Sequence, residues 1–164
     1  VNGTAVVDVG RISVSFDSAN STGVSLKATN ANGGTIMRYQ NSSAGSVGGI
    51  TTNGSTTAYE TSSDYRLKEN VEYDWDATTR LKQLKPARFN FIANAEKTVD
   101  GFMAHEAQEV VPEAVSGEKD EVDDDGNPVI QGIDQAKLVP LLVKTVQEQQ
   151  TVIESLEARI TALE

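Results

Sequence analysis

Val139, Leu142, Val146, Gln149, Ile153, Leu156, Ile160 and Leu163 recur at spacings of 3, 4, 3, 4, 3, 4 and 3. No other feature of the chain limits its fold as tightly. A 3.5-residue apolar period predicts a helix whose narrow seam faces other helices. Residues 135–164 read as one such helix, on the order of 45 Å long at about 1.5 Å per residue. β-Branched residues at a with leucine at d favour two strands, and polar Gln149 inside the seam can select another number. The competing reading is an amphipathic helix laid on its own domain. The stripe is narrow and flanked by polar residues, which favours the coiled coil and hence an oligomer.

The opposite end of the chain follows a different logic. Residues 1–62 hold 9 Gly, 19 Ser or Thr and 6 Asn, 34 of 62 in all. Such composition accompanies disorder, but period-2 patterns run through it. Ile12, Val14 and Phe16 alternate with polar residues, as do Val24, Leu26 and Ala28. Ile36-Met37-Arg38-Tyr39 is a further short apolar run, and "SANSTG" and "NANGG" are turn signals. Several short strands are expected. Their apolar side chains are too few for an isolated core, because small domains are already marginal. Copies of this segment are therefore expected to wrap around one another as a fibre-like β structure.

The stretch between the two ends reads as a small α+β unit. Asp64 can cap a short helix starting near Tyr65. "RLKQLKPARFNF" gives a helix end, a break at Pro86 and a strand with Phe89 and Phe91 facing one way. "VDGFMA" is a second strand. "HEAQEVVPEAV" is a short helix stopped by Pro112, and "EVDDDGNPVI" is a hairpin turning at Asp125-Gly126.

Charge follows the same division. The net charge is -10. In residues 1–62, Arg11, Lys27 and Arg38 cancel Asp8, Asp17 and Glu60. The other 102 residues hold 11 basic and 21 acidic groups. That surface repels phosphate backbones, so no nucleic-acid partner is expected. The absence of cysteine rules out disulfides and thiolate metal sites. No run of 18 apolar residues occurs, so no membrane insertion is expected. The first residues lack a signal-peptide pattern, and the start at Val1 leads us to expect a piece of a longer protein.

"SSDYRLKENV", "LKPARFNF", "DGFMAHEAQEVVPEAV" and the terminal heptads, taken together and in this order, resemble the C-terminal intramolecular chaperone domain of phage endosialidases. Similar domains end phage tail fibres, tailspikes and neck appendages. The resemblance covers residues 62–164. It implies an α+β chain in three parts: residues 1–62 as the end of a trimeric fibre or spike, 63–134 as chaperone and autocleavage unit, and 135–164 as a trimeric coiled coil. It implies a homotrimer whose folding client is its own upstream fibre segment. It also implies single-turnover autoproteolysis at Ser63-Asp64, carried by Ser63 and Lys68. The N-terminal part would stay in a virion fibre or appendage, where a host-surface receptor is a possible partner. The chaperone part would be released in the host cytoplasm. No cofactor or metal is implied. His105 stands where many members have Gln.

A serine hydroxyl needs a base to become a useful nucleophile. The lone His105 reads as a packing or surface residue. Lys68 must be neutral to accept a proton, whereas a free lysine titrates near ~10.4. Burial and the positive end of a helix both lower that value, and Lys68 is expected in the first turns of the helix capped by Asp64. Glu69 acts in the opposite direction. Taken without the resemblance, Lys68 reads as a solvated surface lysine. Positions five apart do not share a helix face, so Ser63 is expected outside the helix, on the incoming extended chain. Three routes stay open. Ser63 attack on its own carbonyl needs a strained four-membered ring. Attack on the Ser62 carbonyl makes a five-membered ring but breaks a different bond. Water activated by Lys68 and oriented by Ser63 is the third. Asp64 either assists or serves only as cap and leaving residue.

Other patterns have blander readings. Glu121, Asp123, Asp125 and Gly126 resemble a calcium loop, but the first position lacks Asp and Gly132 stands where a bidentate Glu is needed. A solvated acidic hairpin fits better. Trp75, Phe89, Phe91 and Phe102 read as core or interface. "NGS" at 53–55 and "VNGT" at the start fit glycosylation sequons with no other sign of secretion. The alternative function is a permanent, non-cleaving trimerisation cap or a receptor-binding fibre tip.

Overall fold

Polar, glycine-rich strands separated by Asn-led turns form antiparallel meanders readily, and the first folded element is one. The structure is a computed structural model that describes Leu26 and residues 32–163. The strands expected at residues 12–16 and 24–28, and the turn between them, lie outside the described residues, Leu26 apart. Two compact units divide between Val71 and Glu72.

In the first unit, β1 (Gly34–Gln40), β2 (Ser46–Thr52) and β3 (Thr57–Thr61) form one antiparallel sheet in sequence order. The apolar run at residues 36–39 lies in β1, as expected. β2 and β3 escaped the sequence reading because Gly48, Gly49 and threonines leave β2 only Val47 and Ile50 as large apolar residues, and β3 has only Tyr59 between threonines. Asparagine side chains close both turns. Asn41 Oδ1 accepts the N–H groups of Ser43 and Gly45, and Asn53 Oδ1 accepts those of Ser55 and Thr56. Both are local side-chain bonds that favour turns over longer ladders. Gly49 lets the strands approach: a Cβ there would lie 2.6 Å from the Met37 carbonyl oxygen.

This sheet buries almost nothing by itself. Met37, Tyr39, Val47 and Tyr59 are all exposed, Tyr59 by 81%. Among the described residues, every buried hydrophobic side chain belongs to the second unit.

That second unit is mixed α and β. Asp76 caps α1 (Ala77–Leu81) by accepting the Thr79 N–H at 2.9 Å. Pro86 separates α1 from the hairpin of β4 (Ala87–Phe91) and β5 (Asn94–Gly101). The second strand thus starts earlier than "VDGFMA" suggests and excludes Phe102 and Met103. Phe89 and Phe91 share a face, edge to face at 5.3 Å. Next come α2 (Ala104–Gln108), a 3-10 turn at Pro112–Ala114, and the two-residue strands β6 (Val115–Ser116) and β7 (Gly132–Ile133). Between β6 and β7 the acidic segment folds back with an antiparallel bridge between Val122 and Pro128. A 3-10 turn at Gln135–Leu138 leads into α3 (Val139–Thr161).

The core is small: Ala77, Val110, Val111, Ala114, Leu138 and Leu141, with Trp75, Phe102 and Ile133 among the residues packed on it. Phe91 is not part of it and stands 62% exposed. The long helix has two apolar faces. Leu141 and Thr145 are buried, and this face packs on the helix's own unit against α1. The heptad residues lie roughly 90° around the helix from that face, at about 100° per residue. Val146, Ile153, Leu156 and Ile160 are all about half exposed or more. The reading of a helix laid on its own domain therefore holds for the first turns, through a different set of residues from the seam.

Candidate functional site

β3 ends at Thr61, and the next residue still follows the sheet. The Ser62 N–H donates to the Val47 carbonyl at 3.0 Å, and its hydroxyl donates to the Ser46 carbonyl at 3.1 Å. Ser63 follows outside any helix or strand. Asp64 is extended (φ -64°, ψ 137°) and caps a single 3-10 turn, Tyr65–Leu67. Its carboxylate accepts the Arg66 N–H at 2.9 Å. The same carboxylate is gripped by the Arg66 guanidinium, from Nε at 2.9 Å and Nη2 at 2.8 Å. These bonds hold the Asp64 carboxyl below its usual range, with the Arg66 side-chain bond the largest cause.

Lys68 closes the turn. Its backbone is extended (φ -124°, ψ 140°) and its N–H donates to the Tyr65 carbonyl. The expectation that Lys68 lies in the first turns of a helix is corrected: it is the residue after a three-residue turn. The positive end of a helix therefore does not act on it. The turn instead reverses the chain enough for the Lys68 Nζ to donate to the Ser63 Oγ at 2.7 Å. The structure thus brings together the two residues that the sequence singled out. Both are exposed in the single chain, as are Tyr59, Tyr65 and Leu67 near them in sequence.

His105 sits on α2 in the second unit and is half-buried. In the acidic loop, Asp123 and Glu121 turn their carboxylates onto the loop itself. Asp123 accepts the N–H groups of Asp125 and Asn127 and the Asn127 side-chain amide. The Asn127 backbone bond is the main reason that the Asp123 carboxyl is held low. Glu121 accepts the Glu118 N–H. Among the described residues no group of three or more His, Cys, Asp or Glu could hold a metal ion. No helix among them is long and apolar enough to cross a membrane.

Two side chains escaped the sequence reading. Arg66 could have been found, since an Asp-x-Arg spacing at a helix cap lets the guanidinium fold back onto the carboxylate. Glu148 could not. From the middle of α3 it accepts the N–H groups of Ala77 at 3.0 Å and Thr78 at 2.9 Å, and the Thr78 hydroxyl. It serves the start of α1 from 71 residues away, and no local pattern reports such a bond. Lys144 adds a second clasp, donating to the Tyr73 carbonyl at 3.0 Å.

Residues 63–116 match the peptidase S74 family, described as the chaperone of endosialidase. The match starts at Ser63 and takes in Lys68, α1, the β4–β5 hairpin and α2. No curated protein matches the chain.

Proposed function

We propose that this chain, which carries a chaperone-of-endosialidase domain from Ser63 onward, folds its own upstream β segment as a homotrimer and then cuts itself off at Ser63-Asp64. The observation that carries the proposal is the 2.7 Å hydrogen bond between Lys68 Nζ and Ser63 Oγ at the start of the matched segment. A hydroxyl and an amine at that distance can exchange a proton once the amine is neutral, when the hydroxyl donates to Nζ. Lys68 takes the proton of a water that Ser63 orients, and the resulting hydroxide adds to the Ser63 carbonyl carbon. The C–N bond to Asp64 breaks, the leaving amine takes the proton back, and Ser63 keeps a carboxylate. The sum is one peptide bond and one water consumed.

One observation favours a second route. Lys68 holds the Oγ itself, and that oxygen reaches the Ser62 carbonyl through an unstrained five-membered ring. The acyl group would move from nitrogen to oxygen, and water would then release Ser62 from Ser63.

The chaperone role follows from the distribution of burial. The described strands of the first unit have no core of their own, so they need partners to fold. The exposed seam of α3 supplies a way to gather copies. Holding the chain ends together raises the effective concentration of non-local β contacts, which otherwise form slowly. Cutting then removes the aligning device and makes assembly hard to reverse. A permanent trimerisation cap or receptor-binding tip would use the same seam without cutting. A denaturing gel with fragment masses decides among these. Two fragments, the second starting at Asp64, support the proposal, whereas a second fragment starting at Ser63 selects the acyl-shift route. A single full-length band from assembled protein leaves the permanent cap.

A further inference from the structure

We infer that Arg66 is a positioning residue that keeps the Asp64 carboxylate off Lys68, leaving the Lys68 amine on Ser63. The inference rests on the proposed cleavage by Ser63 and Lys68. An exposed lysine four residues from an aspartate, across a tight turn, has an obvious partner in that carboxylate. Among the described residues Lys68 nonetheless makes no ion pair and bonds Ser63 Oγ at 2.7 Å. Arg66 supplies the reason. Asp64 Oδ1 takes the Arg66 N–H and Nε, each at 2.9 Å, while Oδ2 takes Nη2 at 2.8 Å. A two-pronged guanidinium grip on a carboxylate is stronger and more directional than a single ammonium contact. Both oxygens are thereby engaged by Arg66, and Lys68, whose charge still acts on Asp64 from a distance, makes no ion pair with them.

The chemistry needs this arrangement. A carboxylate against a lysine amine favours the ammonium form, which cannot act as a base, and it also draws the amine away from the hydroxyl. The turn nevertheless uses a side-chain oxygen at position 64, which Asp64 supplies by accepting the Arg66 N–H. Arg66 thus lets one carboxylate serve as cap beside a lysine base without neutralising that base. Glu69, adjacent to Lys68 in sequence and exposed, is the other carboxylate at hand, and among the described residues no ion pair holds it.

The test is a double-substitution cycle in the full chain, following fragment formation by gel and mass spectrometry. Arg66→Ala is expected to slow cleavage about tenfold or more, the effect of an opposite charge brought within a few ångströms of a titrating group. In the Asp64→Asn background, whose side-chain oxygen can still cap the turn, adding Arg66→Ala should change the rate less than about twofold. A purely structural role would produce the same loss in both backgrounds, and that result overturns the inference. So does an undiminished rate in Arg66→Ala alone. If the unsubstituted chain gives no fragments, the proposed cleavage fails separately, and a crystal structure of the Arg66→Ala chain decides the positioning role. Lys68 Nζ moved from Ser63 onto the Asp64 carboxylate supports it, and Lys68 Nζ still on Ser63 Oγ overturns it.

Discussion

Ser63 and Lys68 meet because the chain between them makes one tight turn with extended residues on either side. On a continuous α-helix, positions five apart point roughly 140° away from each other. Here the turn is held by Asp64 at its start and by the Lys68 N–H at its end, and the lysine stem reaches back over it. Side-chain type at position 68 then matters in a specific way. Arginine keeps the charge and the length but cannot lose its proton at accessible pH. Lys68→Arg is therefore expected to be as inactive as Lys68→Ala, and Ser63→Ala likewise, each losing on the order of 10²-fold or more in cleavage rate. Quantifying full-length chain against fragments over a day, with assembly checked by sedimentation, measures this. Fragments of normal mass from Lys68→Arg would mean that the residue contributes charge rather than basicity.

At the scale of elements, α3 carries two apolar faces side by side. Leu141 is 3% exposed in the core, whereas Leu156 on the seam is 47% exposed. Leu141→Ala should cost the second unit about 2–5 kcal/mol, as for other large-to-small core changes. Leu156→Ala should cost that unit little by itself and should instead weaken the proposed assembly, lowering its concentration-dependent midpoint. Chemical denaturation at two concentrations separates the two effects. Glu148 adds a pH dependence. Its carboxyl is held below the ordinary value of 4.5, first by the Thr78 hydroxyl and then by the Ala77 N–H, with Asp76 opposing. A carboxyl depressed in the folded state contributes stability that is fully present above the unfolded value and is lost as pH falls through the folded one. The thermal midpoint should thus fall as pH drops below about 4.5. Glu148→Gln should lower the midpoint at neutral pH and flatten that acid limb. An unchanged acid limb would show that other carboxylates set it. The seam was legible in the sequence because a heptad is a local, repeated signal, and so were Asp64 as a cap and the Phe89–Phe91 strand. The second face of the helix was not, since Leu138, Leu141, Thr145 and Glu148 matter only through contacts with distant chain. β2 and β3 were missed for another reason: with few large apolar residues, Val47 and Ile50 in one and Tyr59 in the other, they carry little apolar alternation.

At the scale of the whole molecule, burial is unequally shared, and timing follows from it. The described strands before Ser63 have no buried apolar side chain, whereas the second unit has a core and an exposed seam. The seam is the part able to act first, because a helix forms locally and quickly while a shared β core needs several chains. Aspartate at Leu156 and Ile160 would place charges in a seam that the proposed assembly would bury, where they are costly. That double substitution should leave the second unit folded by near-ultraviolet dichroism but abolish higher-order species in sedimentation. Cleavage should fail with it. Ser63 and Lys68 stand in open solvent in the single chain, where water and counterions compete for the amine and the attack geometry is one of many. Neighbouring copies that cover Tyr59, Tyr65 and Leu67 would exclude that water and fix the turn. Folding would then switch on the cut only after the strands have found their partners. Following fragments and oligomers together during refolding, over a hundredfold range of concentration, tests the coupling: fragment formation should lag assembly and slow steeply on dilution. Full-rate cleavage in the aspartate double variant would show instead that the turn alone suffices, and that the proposed cut does not wait for assembly.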